Sequence, residues 1–140
     1  VGLGFHWSST IIWAKDSLVL SRKDYHTQYE PIWYGWSGDA ARLHPLEDRT
    51  QSDLWTIPRP KRSEQHPTMK PVELVQRALK NSSSPGAVVF EPFSGSGTTL
   101  MACEVSGRTC RAIELEPKYV QVALERWEAH TGKKAKQVTP

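Results

Sequence analysis

The passage that most constrains this chain is an uninterrupted apolar run, Ala87-Val88-Val89-Phe90, leading directly into Glu91-Pro92-Phe93-Ser94-Gly95-Ser96-Gly97-Thr98-Thr99-Leu100. A short continuous apolar run reads as a strand buried on both faces, as in a parallel sheet covered by helices. Gly95 and Gly97 mark a turn in which the backbone can take positive φ and approach a ligand closely. Residues 98–105 then read as a helix closed by Gly107. Strand, glycine turn and helix in this order place the turn at the carboxyl end of a strand, where open α/β sheets bind ligands. The expected fold class is α/β.

The flanks extend that pattern. Pro71 suits the first turn of a helix, where its missing N–H costs nothing. Val72, Val75 and Leu79, with Leu74 and Ala78, form an apolar stripe at helical spacing that stops at residues 81–86. Residues 111–115 read as the next strand, and Pro117 opens a last helix with Val120, Ala123, Leu124 and Trp127 on one face. Alternating strands and helices at this pitch imply a parallel sheet with right-handed crossovers. Before residue 57 the chain is different, holding five of the six Trp and three of the four Tyr. There, residues 10–13 and 30–34 read as strands, the second with Pro31 at its beginning. Between them residues 15–28 form a polar loop, 35–51 an irregular excursion and 54–57 a brief third strand. At 140 residues the chain is one domain's worth. It divides into aromatic-rich strands (1–57), a ligand-binding part (58–130) and a basic tail (131–140).

The residues around the turn narrow the ligand. Leu100 stands where a dinucleotide fingerprint would place its third glycine. Glu91 at the strand end repels a phosphate dianion and attracts an ammonium. Glu114, 17 residues after Gly97, stands where nucleotide-type folds put an acid for the ribose hydroxyls. Glu116, immediately before Pro117, reads instead as a helix cap. One acid for a ribose and one for an amino group fit S-adenosyl-L-methionine.

Charge and cysteine content decide less. Of 18 Lys and Arg against 15 Asp and Glu, the excess is Lys133, Lys134 and Lys136, which read as a solvated end. Arg59, Lys61 and Arg62 form a stiff cationic stretch suited to a nucleic-acid backbone, while Trp33, Trp36 and Trp55 could stack on bases or simply fill a core. Cys103 and Cys110 lack the spacing and partners of a zinc site and read as free thiols of a reducing cytoplasm, with no metal expected. No apolar run is long enough for a membrane helix.

The Glu-Pro-Phe-Ser-Gly-Ser-Gly-Thr-Thr passage, preceded by His66-Pro67-Thr68-Met69-Lys70-Pro71, resembles the amino-methylating DNA methyltransferases, which modify adenine N6 or cytosine N4. Ile11-Ile12-Trp13, Tyr29-Glu30-Pro31 and Leu54-Trp55 are similar to that family's blocks ahead of the His-Pro motif, so the likeness covers nearly the whole chain. Glu91 departs conservatively from the family's usual Asp. The resemblance implies a Rossmann-like, S-adenosylmethionine-dependent fold. By it, His66, Pro67, Thr68 and Lys70 lie beside the methionine end of the cofactor. Glu91, Pro92, Phe93, Ser94, Gly95, Gly97 and Thr98 cradle its amino-acid part, and Glu114 binds the ribose.

The His-Pro motif before the glycine turn matches the permuted order called the beta group. In that group the catalytic block, Asp or Ser followed by Pro-Pro and an aromatic, lies upstream of everything present here, and this sequence contains no Pro-Pro pair. The resemblance therefore implies the C-terminal part of a bacterial or phage-encoded enzyme with an incomplete fold. It carries no catalytic residue of its own and acts on double-stranded DNA. An N-terminal half or a second chain is expected to cover an open sheet edge. Two alternatives stand beside it: a nucleotide-dependent oxidoreductase, and a cofactor- or DNA-binding subunit without catalysis.

Overall fold

The computed structural model describes residues 4–38, 42–60 and 69–138. The chain forms two compact units, Val1–Arg59 and Pro60–Pro140.

The first unit is a three-stranded sheet. β1 (Phe5–Val19) pairs antiparallel with β2 (Thr27–Ser37) and parallel with the short β3 (Leu54–Thr56), giving the order β2-β1-β3. Both long strands overrun the expected limits, and the polar loop foreseen over 15–28 shrinks to the connection after Val19. Cross-strand contact outweighs local polarity here: Lys15 lies within β1 and its Nζ reaches Glu30 Oε1 at 2.7 Å. Pro31 lies inside β2 rather than at its beginning. The geometry tolerates it, because its partner Ile12 donates its N–H the other way, to the Asp53 carbonyl at 2.7 Å. Pro31 thus occupies a position of this edge strand that needs no donor.

One face of the sheet holds the core, with Trp13 (2% exposed), Trp55 and Ile57 buried together. Trp13 Nε1 donates to the Ile57 carbonyl at 2.7 Å, satisfying the polar end of a buried ring.

The second unit is the α/β part. α1 (Val72–Ser82) begins after Pro71, which takes the N-cap position. β4 (Val88–Glu91), α2 (Thr98–Ser106) and β5 (Thr109–Ala112) make a parallel strand–helix–strand unit, and α3 (Pro117–Thr131) follows. Leu79, Ala102 and Cys103 are buried between α1 and α2, with Val72, Val75, Val89 and Cys110 packed around them. Gly107 at φ 68° closes α2. Glu116 is the N-cap of α3, but its side chain makes no capping bond; its carbonyl accepts the Tyr119 N–H at 2.9 Å. Ala123 is the buried member of the α3 stripe.

Two expectations for this unit need correction. The 87–90 run is not buried on both faces. Val89 faces the core, whereas Val88 and Phe90 on the opposite face are 66% and 65% exposed, because the helices cover one side only. The strand foreseen over 111–115 begins and ends earlier, so Glu114 lies two residues beyond β5. The basic tail is exposed as expected, with Lys134 Nζ also reaching Glu128 Oε2 at 2.7 Å and Lys133 Nζ lying 3.8 Å from Glu104 Oε1.

Candidate functional site

The glycine turn connects the end of β4 to the start of α2, and two carboxylates brace it. Glu91, the last residue of β4, accepts the Phe93 N–H at 2.9 Å on one oxygen and the Thr99 hydroxyl at 2.9 Å on the other. It therefore ties the entry of the turn to the first turn of α2. Glu114 accepts the Gly95 N–H at 2.6 Å on Oε2 and the Glu116 N–H at 2.9 Å on Oε1. It ties the middle of the turn to the segment leading into α3. The ladder continues past β5 to make this possible: Ile113 donates to the Glu91 carbonyl at 2.9 Å and accepts the Ser94 N–H at 3.0 Å.

Gly95 and Gly97 sit at φ 54° and 80°, in the left-handed region that glycine occupies without penalty. A Cβ on Gly95 would meet nothing within 4 Å, so the backbone there is open to an approaching group. A Cβ on Gly97 would stand 2.7 Å from the Ala123 Cβ, so this glycine exists for the packing of α3. Ser94 and Thr98 lie with the turn, Thr98 buried at the start of α2, whereas Pro92 and the Phe93 ring face solvent. Thr98 Oγ1 donates to the Lys70 carbonyl at 3.4 Å, bringing the end of the His-Pro-x-x-Lys-Pro segment to the head of α2. His66, Pro67 and Thr68 lie outside the described residues, as do Lys61 and Arg62.

The two cysteines are not part of the chemistry. Both are free; burial pushes the Cys103 thiol up to about 12, and burial with the nearby Glu91 charge raises that of Cys110. Such thiols stay protonated and unreactive at neutral pH.

In the first unit the candidate nucleic-acid contacts divide. Trp55 is core. Trp36 stacks on His6 with ring centroids 4.5 Å apart and carries the Arg42 guanidinium at 4.9 Å, while Trp33 is 82% exposed. Arg59 is not a bare cation, because its guanidinium lies 3.6 Å from Asp16 Oδ1 and donates to the Ser17 hydroxyl. Its backbone N–H also reaches Asp16 and is the main cause that lowers the Asp16 pKa.

Several residues that complete the site were not foreseen. Thr99 and Ser96 are part of the turn's bonding, and Arg126 of α3 donates to the Ser96 carbonyl at 2.6 Å. The available signal for Arg126 was its spacing, three residues beyond Ala123 on the side of α3 that packs against the turn.

Comparison with known proteins places this geometry among relatives. A family model described as DNA methylase matches residues 1–125. The chain is 30% identical over 166 residues to the DNA adenine methyltransferase YhdJ of Escherichia coli K12, spanning 96% of this chain and 56% of that protein. It is 31% identical over 143 residues to the type II methyltransferase M.XycI of Xanthomonas campestris pv. cyanopsidis, spanning 92% of this chain and 47% of that one. The chain thus spans about half the length of the curated relatives it matches. Among solved structures, the M1.HpyAVI–SAM complex superposes with a TM-score of 0.73 at 26% identity, over 88% of this chain and 62% of that one. TTHA0409 of Thermus thermophilus, complexed with S-adenosyl-L-methionine, superposes at 0.66 with 30% identity, over 90% of this chain and 54% of that one. The α/β unit accordingly has the Rossmann-like fold of the S-adenosylmethionine-dependent methyltransferases.

Proposed function

The chain belongs to the DNA methylase family, and we propose that it is the cofactor-binding part of an enzyme that methylates the exocyclic amino group of adenine (N6) or cytosine (N4) in DNA, of the kind used in restriction–modification. The observation that carries this reading is the glycine turn braced by Glu91 and Glu114 at the carboxyl ends of two neighbouring parallel strands. A turn flanked by two carboxylates favours a ligand bearing an ammonium and a sulfonium, and disfavours a pyrophosphate. That electrostatic argument, together with the family, sets the oxidoreductase alternative aside.

The residues present fit S-adenosylmethionine, which when bound supplies a methyl group activated by its sulfonium. The open space at Gly95 admits a close approach of the cofactor's amino-acid end. Glu91, Pro92, Phe93, Ser94, Gly95, Gly97 and Thr98 form the cradle around that end, Glu114 accepts from the ribose hydroxyls, and the family resemblance assigns His66, Pro67, Thr68 and Lys70 to the methionine side. Both carboxylates fix the conformation of the turn by accepting backbone N–H groups.

Double-stranded DNA is the proposed substrate, with Arg59, Lys61 and Arg62 on its backbone. The chain contains no Pro-Pro pair, so in this reading the residues that hold the target amino group in line for transfer lie outside residues 1–140, in an N-terminal half or a second chain. The exposed face of β4, with Val88 and Phe90, supports the same reading, since an apolar strand face left in water invites a partner. Free thiols fit a cytoplasmic setting in a bacterium or phage-infected cell. Among the described residues no helix is long and apolar enough to cross a membrane.

The test is methyl transfer from tritiated cofactor to mixed-sequence DNA. Residues 1–140 alone should transfer none, and adding the complementary half should restore transfer. Efficient methylation by the chain alone would refute the need for a complement. A complement that restores cofactor and DNA binding but no transfer would favour the non-catalytic subunit.

A further inference from the structure

The glycine turn is also held from behind, by a side chain of α3 that the cofactor reading does not use. Arg126 Nη1 donates to the Ser96 carbonyl at 2.6 Å and lies 3.2 Å from Ser96 Oγ. Ser96 is only 4% exposed and stands between Gly95 and Gly97, both at positive φ. Glycines on either side leave the intervening peptide units free to rotate at little steric cost. A peptide unit is planar, so fixing the Ser96 carbonyl also fixes the Gly97 N–H. That N–H donates to the Ser94 carbonyl at 3.0 Å and so closes the turn. The contact is charge-assisted and short, the kind that holds a backbone group most firmly. Ala123, one helical turn away on α3, meets Gly97 at the distance that only glycine allows. The same helix thus presses on one residue of the turn and bonds its neighbour.

We propose that Arg126 is a positioning residue for the cofactor turn, pinning the Ser96 carbonyl against α3 so that residues 95–97 keep the conformation that receives the amino-acid end of S-adenosylmethionine. This rests on the cofactor reading above. It differs from a general packing role in one respect. Among the described residues the hydrogen bonds of Arg126 go to Ser96 of the turn, so its loss weakens binding of ligands that carry the amino-acid end and spares those that lack it.

The experiment is calorimetry on the full chain with two probes, S-adenosylmethionine and 5′-methylthioadenosine, which keeps the adenine, ribose and sulfur but lacks the amino-acid end. Arg126→Met should weaken S-adenosylmethionine on the order of tenfold, as for a lost charge-assisted bond, and leave methylthioadenosine within about twofold. Arg126→Lys, which keeps a cationic donor on a shorter reach, should recover part of the loss. Equal affinities in wild type and Arg126→Met overturn the proposal, and so does a parallel loss for both probes, which marks a merely structural role. If Arg126→Met does not fold by circular dichroism, Arg126→Lys decides on the same ratio: a selective loss supports the proposal and an unchanged ratio overturns it. Absence of binding to either probe in the wild type would instead overturn the cofactor reading itself.

Discussion

Replacing Gly97 by alanine tests how tightly α3 and the glycine turn are fitted to each other. Two costs combine at this residue. Its φ of 80° places an L side chain in the left-handed region, at about 1–2 kcal/mol. The added Cβ would also stand 2.7 Å from the Ala123 Cβ and 3.2 Å from its Cα, an overlap with backbone that a flexible side chain cannot relieve. Overpacking of this kind costs about 1–3 kcal/mol, so Gly97→Ala should destabilise the chain by about 2–5 kcal/mol. That is a large fraction of the roughly 5–15 kcal/mol that holds a domain folded. Gly95→Ala is the internal control. Its φ is 54° but its Cβ would meet nothing within 4 Å, so it should show the conformational cost alone. Urea denaturation followed by circular dichroism measures both. Adding Ala123→Gly to Gly97→Ala should return part of the loss, with a coupling of about 0.5–3 kcal/mol. Equal destabilisation by Gly97→Ala and Gly95→Ala, with no coupling to residue 123, would show that the close approach of α3 is not what selects glycine here.

Three further outcomes follow from the same structure. Trp13→Phe removes the donor to the Ile57 carbonyl in the buried core of the first unit and should cost about 1–3 kcal/mol in urea melts; no change would mean that water satisfies this carbonyl. Because burial raises the Cys103 thiol to about 12, the native state binds that proton more tightly than the unfolded chain does. Its contribution to stability is complete below about pH 9 and is lost as pH rises toward 12, so denaturation midpoints should fall in alkali for wild type and less for Cys103→Ala. Removing Arg59, Lys61 and Arg62 together should flatten the slope of log affinity for DNA against log salt; an unchanged slope would leave them as ordinary surface charge.

What was legible in the sequence was local. The glycine turn, the stop at Gly107, the start of α1 just after Pro71 and that of α3 at Pro117 each follow from constraints within a few residues, and they hold in the structure. The reach of β1 and β2 was not legible, because it depends on a ladder between residues far apart, such as Val19 with Thr27 and Phe5 with Ser37. The apolar run at residues 87–90 misled for a related reason. Its composition describes a strand meant to be covered on two faces, while its accessibility here is set by helices on one. Glu91 and Glu114 were identifiable as candidate ligand acids by type and spacing. That each spends one oxygen on a backbone N–H of the turn and the other on the start of α2 or the lead into α3 depends on the loop path after β5, which no periodicity reveals. Arg126 was hidden for the opposite reason: an arginine on a helix reads as solvent-facing until the helix is docked.

The central claim is that the braced glycine turn is a binding site for S-adenosylmethionine, and the most direct measurement is its affinity for wild type and for Glu114→Ala by titration calorimetry. Wild type should bind saturably and the variant should lose about 1–3 kcal/mol, the worth of a charge-assisted hydrogen bond. Unchanged affinity in Glu114→Ala, with the fold intact by circular dichroism, would contradict it.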